Sequence, residues 1–320
     1  MQGAHRVHTL SYAALYMESW FRSRGDEDDE RLGSATGFLV GIPGHYWLVT
    51  AWHVLSGRRS DTGEIRSDKA LCPDYIRVRF AGEDDLAPIH VEYELYDDEF
   101  DEFQANPRFR SPVERRIDVA ALRIGDVPGP AVDAAMPNTW PTLRELSPKE
   151  RRAQFGSEAD TPIPLRITDR LFVLGFPFGD TGSWPFAVWT AAPVASEPLA
   201  GWGGLPGFLL DSRTRPGQSG SPVVMHIRPG EPVVADGVVH MHEESVTALV
   251  GIYSGRLDPN SDLGMVWTTD ALFGFLPEIA PPNWSPTFVP AAPSVSDDGD
   301  RYANGDGDQP GNCAPVRERS

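Results

Sequence analysis

The run Arg215-Pro216-Gly217-Gln218-Ser219-Gly220-Ser221-Pro222 sets one serine between glycines, directly before the apolar stretch Val223-Val224-Met225. A glycine at 217 permits backbone angles that other residues resist. The N–H groups of Gly217 and Ser219 can then converge on one point and hold a developing oxyanion. A hydroxyl is a poor nucleophile near neutral pH, so a base must take its proton during attack. Imidazole suits that task, and a carboxylate behind it fixes the tautomer and stabilises the imidazolium. His53 and Asp118 supply these groups, in the chain order His53, Asp118, Ser219. A hydrolase of the α/β class needs its acid and then its histidine after the serine. Only His226, His240 and His242 follow Ser219, with Asp236 the one aspartate ahead of the latter two, and position 221 is not glycine. That class is excluded.

These side chains need rigid supports. Gly37-Phe38-Leu39-Val40-Gly41 and Trp47-Leu48-Val49 read as two strands of a hairpin around Ile42-Pro43-Gly44-His45. His53 falls just past the second strand, where a side chain can leave the core and face a cleft. Asp118 opens the apolar run Val119-Ala120-Ala121-Leu122-Arg123-Ile124, a position from which a carboxylate is partly buried yet still accepts hydrogen bonds. Each residue also has a plainer reading: a structural histidine at a strand end, an aspartate capping nearby backbone, a turn serine. The three together, in this order, favour the chemical reading.

With these motifs the chain resembles the trypsin-like, chymotrypsin-fold serine peptidases. The likeness rests on Thr50-Ala51-Trp52-His53-Val54, Asp118-Val119-Ala120-Ala121-Leu122 and Gly217-Gln218-Ser219-Gly220-Ser221-Pro222. Val250-Gly251-Ile252-Tyr253-Ser254-Gly255 is similar to the strand lining the cleft, and Val173-Leu174-Gly175-Phe176-Pro177-Phe178-Gly179 to a turn of the bacterial high-temperature-requirement peptidases. The resemblance spans roughly residues 33–276. It implies an all-β fold of two six-stranded antiparallel barrels, with His53 and Asp118 from the first and Ser219 from the second. Gln218 departs from the digestive members, which carry Asp there to pair with a newly released N-terminus. Activation by clipping is therefore not expected, and the cleft must be preformed or ordered by another contact.

The resemblance also implies a substrate pocket bounded by Arg213, six residues before Ser219, and by Tyr253, Ser254, Gly255 and Arg256. Two guanidinium groups at one pocket would favour an acidic side chain through bidentate hydrogen bonds. The bacterial glutamyl endopeptidases share the serine motif but carry His where Tyr253 stands.

Composition frames the rest. The 320 residues, 40% apolar, can bury a sizeable core, and the net charge of −18 argues against a nucleic-acid partner. No apolar stretch reaches the ~18–20 residues of a membrane span. Cys72 and Cys313 lie far apart and give no disulfide framework, which fits a reducing, cytoplasmic compartment. Asp26 to Glu30 form one acidic block, and Glu83 to Glu102 hold ten carboxylates with no Lys or Arg. The second block contains Ile89 to Tyr96, an alternating strand with an acidic face that either attracts basic partners or serves as a solvated surface. His240, His242, Glu243 and Glu244 resemble metal ligands on paper, but they read as a hairpin loop. No metal or cofactor is expected.

Residues 1–29 read as a short helical arm, 30–125 as the first barrel, 126–168 as a connector, 169–276 as the second barrel and 280–320 as a disordered tail. The expected activity is serine endopeptidase cleavage of a protein or peptide. An active peptidase endangers its host, so gating by a regulatory protein is also expected. The competing class is a non-catalytic binding module that kept the fold.

Overall fold

A computed structural model describes residues 8–280, apart from 24, 26–27, 43–44, 83–86, 98–103, 106–107, 126, 129–164, 180–185, 236–237, 242, 244 and 259. The connector between residues 129 and 164, Asp26 and Glu27 of the first acidic block, most carboxylates of the second, His242, Glu244 and the C-terminal tail thus lie outside the described residues.

The first half contributes β1 (Ala14–Phe21), β2 (Glu30–Ile42), β3 (His45–Thr50), helix α1 (Trp52–Ser56), β4 (Tyr75–Ala81), β5 (Pro88–Glu94), the short β6 (Tyr96–Asp97), β7 (Gln104–Ala105) and β8 (Phe109–Arg110), and β9 (Ala120–Ile124). The second half contributes β10 (Arg170–Gly175), β11 (Val188–Pro193), β12 (Gly207–Asp211), β13 (Pro222–Ile227), β14 (Pro232–Ala235), β15 (Val238–Met241), β16 (Val246–Arg256), β17 (Leu263–Thr268) and helix α2 (Thr269–Phe275). Two curled antiparallel sheets result, each a half-barrel. The first runs β5-β4-β1-β2-β3-β9-β8 and the second β11-β10-β13-β16-β17-β12. The first therefore has seven strands among the described residues rather than the expected six. In the second, a bridge between Val194 and Leu210 and the bond from Ala195 N to Leu209 O, 2.8 Å, bring the two edge strands together.

The uninterrupted apolar runs of the hairpin have a physical cause. Successive side chains of a strand point to opposite faces. Leu39 and Leu48 fill the interior of the first sheet, while Phe38, Val40, Trp47 and Val49 join a core shared with the second. Leu174 of β10 and Phe176 just after it, Val224, Leu249 and Ile252, and Ala271 to Phe273 of α2 belong to that shared core. The β2–β3 hairpin, pairing Phe38 with Val49 and Ile42 with His45, is thus buried on both faces.

The expected N-terminal arm is wrong from residue 14 on. β1 is an inner strand, paired with β2 and β4, and Leu15 and Met17 point into the first sheet's core. Its alternation is masked in sequence because the outer face carries Tyr16 and Trp20, whose polar tips both donate to Glu18. Residues 238–241 are likewise a strand, paired with β14, rather than a loop. On β5, Glu92 pairs with Arg77 at 2.7 Å and Glu94 with Arg22 at 2.8 Å. The acidic face is thereby partly neutralised. Cys72 is buried, and the other cysteine, Cys313, lies outside the described residues. Among the described residues no helix is long and apolar enough to cross a membrane.

Candidate active site

The sequence-predicted trio meets at the junction of the two sheets. β3 ends at Thr50, and the first turn of α1 carries His53; Gly57 closes that helix at φ 68°, its N–H donating to His53 O at 3.0 Å. Asp118 precedes β9 by two residues and is 5% exposed. One of its oxygens accepts the His53 backbone N–H at 2.9 Å, and the other faces His53 Nδ1 at 2.6 Å. Ser254 Oγ donates to that second oxygen at 2.5 Å. Burial alone would raise the carboxyl's pKa; the charge and hydrogen bonds of His53, with the Ser254 hydroxyl, hold it below the ordinary aspartate value. The imidazole is thereby fixed with its Nδ1 proton toward Asp118, leaving Nε2 as the basic atom.

Ser219 lies in the turn before β13, half-buried, and borders both cavities that meet at His53. Among the described residues its hydroxyl makes no hydrogen bond to the imidazole. The turn itself is tightly held. Pro216 O accepts Phe178 N at 2.6 Å, so the Gly217 N–H of the same trans peptide points the opposite way. Gln218 O accepts Ser221 N at 3.1 Å, which turns the Ser219 N–H away likewise. Neither N–H donates to any described group. This arrangement leaves two backbone donors unengaged among the described residues.

Gln218, the departure noted in sequence, is 1% exposed. Its Oε1 accepts Arg215 N at 2.8 Å, and its Nε2 donates to Thr190 Oγ1 at 3.0 Å. An uncharged clamp thus spans the loop and β11 where an ion pair would otherwise be needed.

Thr36 went unnoticed in the sequence and is central here. It is fully buried on β2, donates its N–H to Ser219 O at 2.9 Å and its hydroxyl to Gly217 O at 2.7 Å. Its own carbonyl accepts Thr50 Oγ1 at 2.7 Å. The strand before His53 and the turn carrying Ser219 are therefore tied through one residue. The available signal was a threonine in the buried phase of an apolar strand, where its hydroxyl needs a partner.

The remaining expectations divide. Tyr253, Gly255 and Arg256 line the cavity beside Ser219. Tyr253 is buried, bonds Thr214 Oγ1, and its phenol is pushed up to about 12 by burial. Ser254 also reaches the cavity, but its hydroxyl serves Asp118. Arg213 does not join the site. Its side chain is 82% exposed and faces Asp262 at 3.5 Å, because it alternates outward between the buried Ser212 and Thr214. The sequence reading also missed Arg59 and Arg66, which the segment after α1 brings to the cavity.

Gly217 has φ +96°, and a Cβ there would lie 2.3 Å from Phe176 O and 2.8 Å from Gly179 N. Gly217→Ala is expected to cost about 2–4 kcal/mol, since left-handed strain and a backbone clash add. Urea unfolding of the variant beside wild type measures it.

The chain belongs to the trypsin-like peptidase domain family, whose model matches residues 35–233. Two solved structures are similar to it. The serine endoprotease from Yersinia pestis shares 14% identity at a TM-score of 0.43, with 84% of this chain and 63% of that chain covered. The Rv3671c protease from M. tuberculosis, in its active form, shares 15% identity at a TM-score of 0.41, with 88% and 86% covered. This chain therefore spans less than two thirds of the length of the Yersinia protein. No curated protein matches.

Proposed function

We propose that the protein is a serine endopeptidase in which Ser219 attacks the scissile carbonyl. His53 Nε2 takes the hydroxyl proton and later returns it to the leaving amine. Asp118 holds the imidazole's orientation and stabilises its protonated form, and the N–H groups of Gly217 and Ser219 receive the oxyanion. The observation that carries the reading is the buried His53–Asp118 pair, at 2.6 Å, beside a serine flanked by two unengaged backbone donors. The loop bearing those donors is ordered within the chain, by Gln218 and Thr36. A regulatory protein would then act by covering the cleft rather than by assembling it. The competing binding-module reading gains nothing from β5, whose Glu92 and Glu94 already pair with arginines.

Labelling the purified chain with a fluorophosphonate tests the reading, followed by peptide mass mapping. The expected result is one adduct, on Ser219. A folded protein that takes up no label, or takes it elsewhere, would overturn it.

A further inference from the structure

The chain carries a net charge of −18, yet the cavity beside Ser219, of about 490 Å³, is lined by Arg59, Arg66, Arg116, Arg215 and Arg256. Its acidic lining is Asp61 and Asp118, and Asp118 is already committed to His53 and Ser254. Arg116 is engaged bidentately by Glu114, at 2.9 and 3.1 Å. By contrast, Arg59, Arg66 and Arg215 have no carboxylate within ion-pair distance among the described residues. The other cationic groups of the cleft are matched: Arg31 pairs with Glu18 at 3.1 Å and Lys69 with Glu30 at 2.8 Å.

The three unmatched guanidinium groups flank the serine from two directions. Arg59 and Arg66 come from the segment after α1, and Arg66 borders both cavities, so it stands where they meet at His53. Arg215 comes from the other wall, next to the loop that bears Gly217, with its side chain reaching back to Thr214 O at 3.3 Å. Arg66 is reached by solvent. Crowding by the cleft walls pulls its guanidinium below the ordinary value; Asp118 opposes that pull and Arg59 adds to it. Exposed guanidinium groups of one sign lining a cleft, with no carboxylate paired to them among the described residues, raise the local concentration of anions and favour an anionic ligand.

We propose that this cavity selects an acidic polypeptide segment, with carboxylates on both sides of the cleft floor taken by Arg59 and Arg66 on one wall and by Arg215 on the other. The inference rests on the peptidase reading of the same site and names its substrate class. Several carboxylates fit better than one, because the guanidinium groups are spread along the cleft rather than gathered at a single side-chain pocket. The fork of a guanidinium matches a carboxylate bidentately, which gives register as well as attraction. The distant negative charge of the chain does not cancel this, because charges beyond about 8 Å are largely screened at physiological salt.

The test uses the full-length Ser219→Ala protein at about 0.15 M salt and fluorescence anisotropy with three dye-labelled peptides. These carry Glu, Gln or Lys at alternating positions of one sequence. The Glu peptide is expected to bind at least ~10-fold more tightly than the Gln peptide, and the Lys peptide weakest. Adding Arg66→Gln and Arg215→Gln together should bring Glu and Gln to within about twofold. Equal binding of the Glu and Gln peptides by the parent protein, which needs no arginine variant to fold, would overturn the proposal. So would a double variant that keeps the full preference. Fluorophosphonate labelling of the wild type separates the two readings. A protein that labels on Ser219 but ignores charge loses only the acidic-substrate inference, whereas one that binds the Glu peptide but never labels loses the peptidase reading.

Discussion

Ser219→Ala is expected to lower kcat/KM for peptide hydrolysis by about 10⁶, and His53→Ala to cost nearly as much, with the double variant no worse than either. The non-additivity follows from the arrangement. His53 Nε2 has a proton to accept only if a hydroxyl lies beside it, and the Ser219 hydroxyl is a competent nucleophile only while that base is present. What survives in both variants is the binding cleft and the two free donors of Gly217 and Ser219, since the backbone N–H at 219 does not depend on its side chain. Steady-state hydrolysis by wild type and the three variants measures this. Ser219→Ala is structurally mild, since Ser219 is half-buried and its hydroxyl is not hydrogen-bonded to the imidazole, whereas His53→Ala leaves the buried Asp118 carboxylate without its imidazole partner and should also lower the unfolding midpoint. A His53→Ala enzyme retaining more than about a hundredth of wild-type activity would show that another group is the base.

Much of this site could be read in the chain because its chemistry is concentrated in short motifs. A glycine-flanked serine, a histidine just after a buried hairpin and an aspartate at the head of an apolar strand are local patterns. Their order alone separated two hydrolase classes. The fold around them was legible where one strand's two faces are both apolar, as in Gly37–Gly41 and Trp47–Val49. It was least legible where the outer face of a strand carries aromatics. Tyr16 and Trp20 hide the alternation of β1; both donate to Glu18, Tyr16 packs on Phe176 and Trp20 stacks on Tyr75. Contacts that cross the two sheets left almost no local trace. The Thr36 hydroxyl meets Gly217 O across 181 positions, and Ser254 meets Asp118 across 136. Arg213 shows the converse failure. Counting back from the serine put it at the pocket, but in the extended segment after β12 Ser212 and Thr214 take the buried positions and Arg213 faces solvent. Arg59 and Arg66, which do reach the cavity, come from a segment that no motif marks.

Asp118→Asn should lower kcat by about 10⁴ while leaving the protein folded, and it should do so through the tautomer of His53. The carboxylate receives three donors: the His53 backbone N–H on one oxygen, and His53 Nδ1 and the Ser254 hydroxyl on the other. An asparagine has one acceptor oxygen and one NH₂ group. With its oxygen toward Nδ1, the NH₂ opposes the backbone N–H of His53. Reversed, the NH₂ donates to Nδ1, which must then be the unprotonated nitrogen, and Nε2 carries the proton and cannot accept one from Ser219. The second outcome removes the fewer hydrogen bonds, because the Ser254 hydroxyl can rotate and the helix-start N–H keeps its partner. Activity should recover in part at high pH, where hydroxide replaces the missing base, and the wild type should show no such limb. The same residue sets an acid limit on stability. Its folded pKa lies below the unfolded value of 3.8, so its contribution is complete above that value and is lost as pH falls through the folded one. Urea midpoints measured from pH 6 downward should therefore fall steeply below about pH 4 in the wild type and less steeply in Asp118→Asn, which has no carboxylate to protonate. Equal acid slopes in the two proteins would mean that Asp118 is not the anion holding His53 in place.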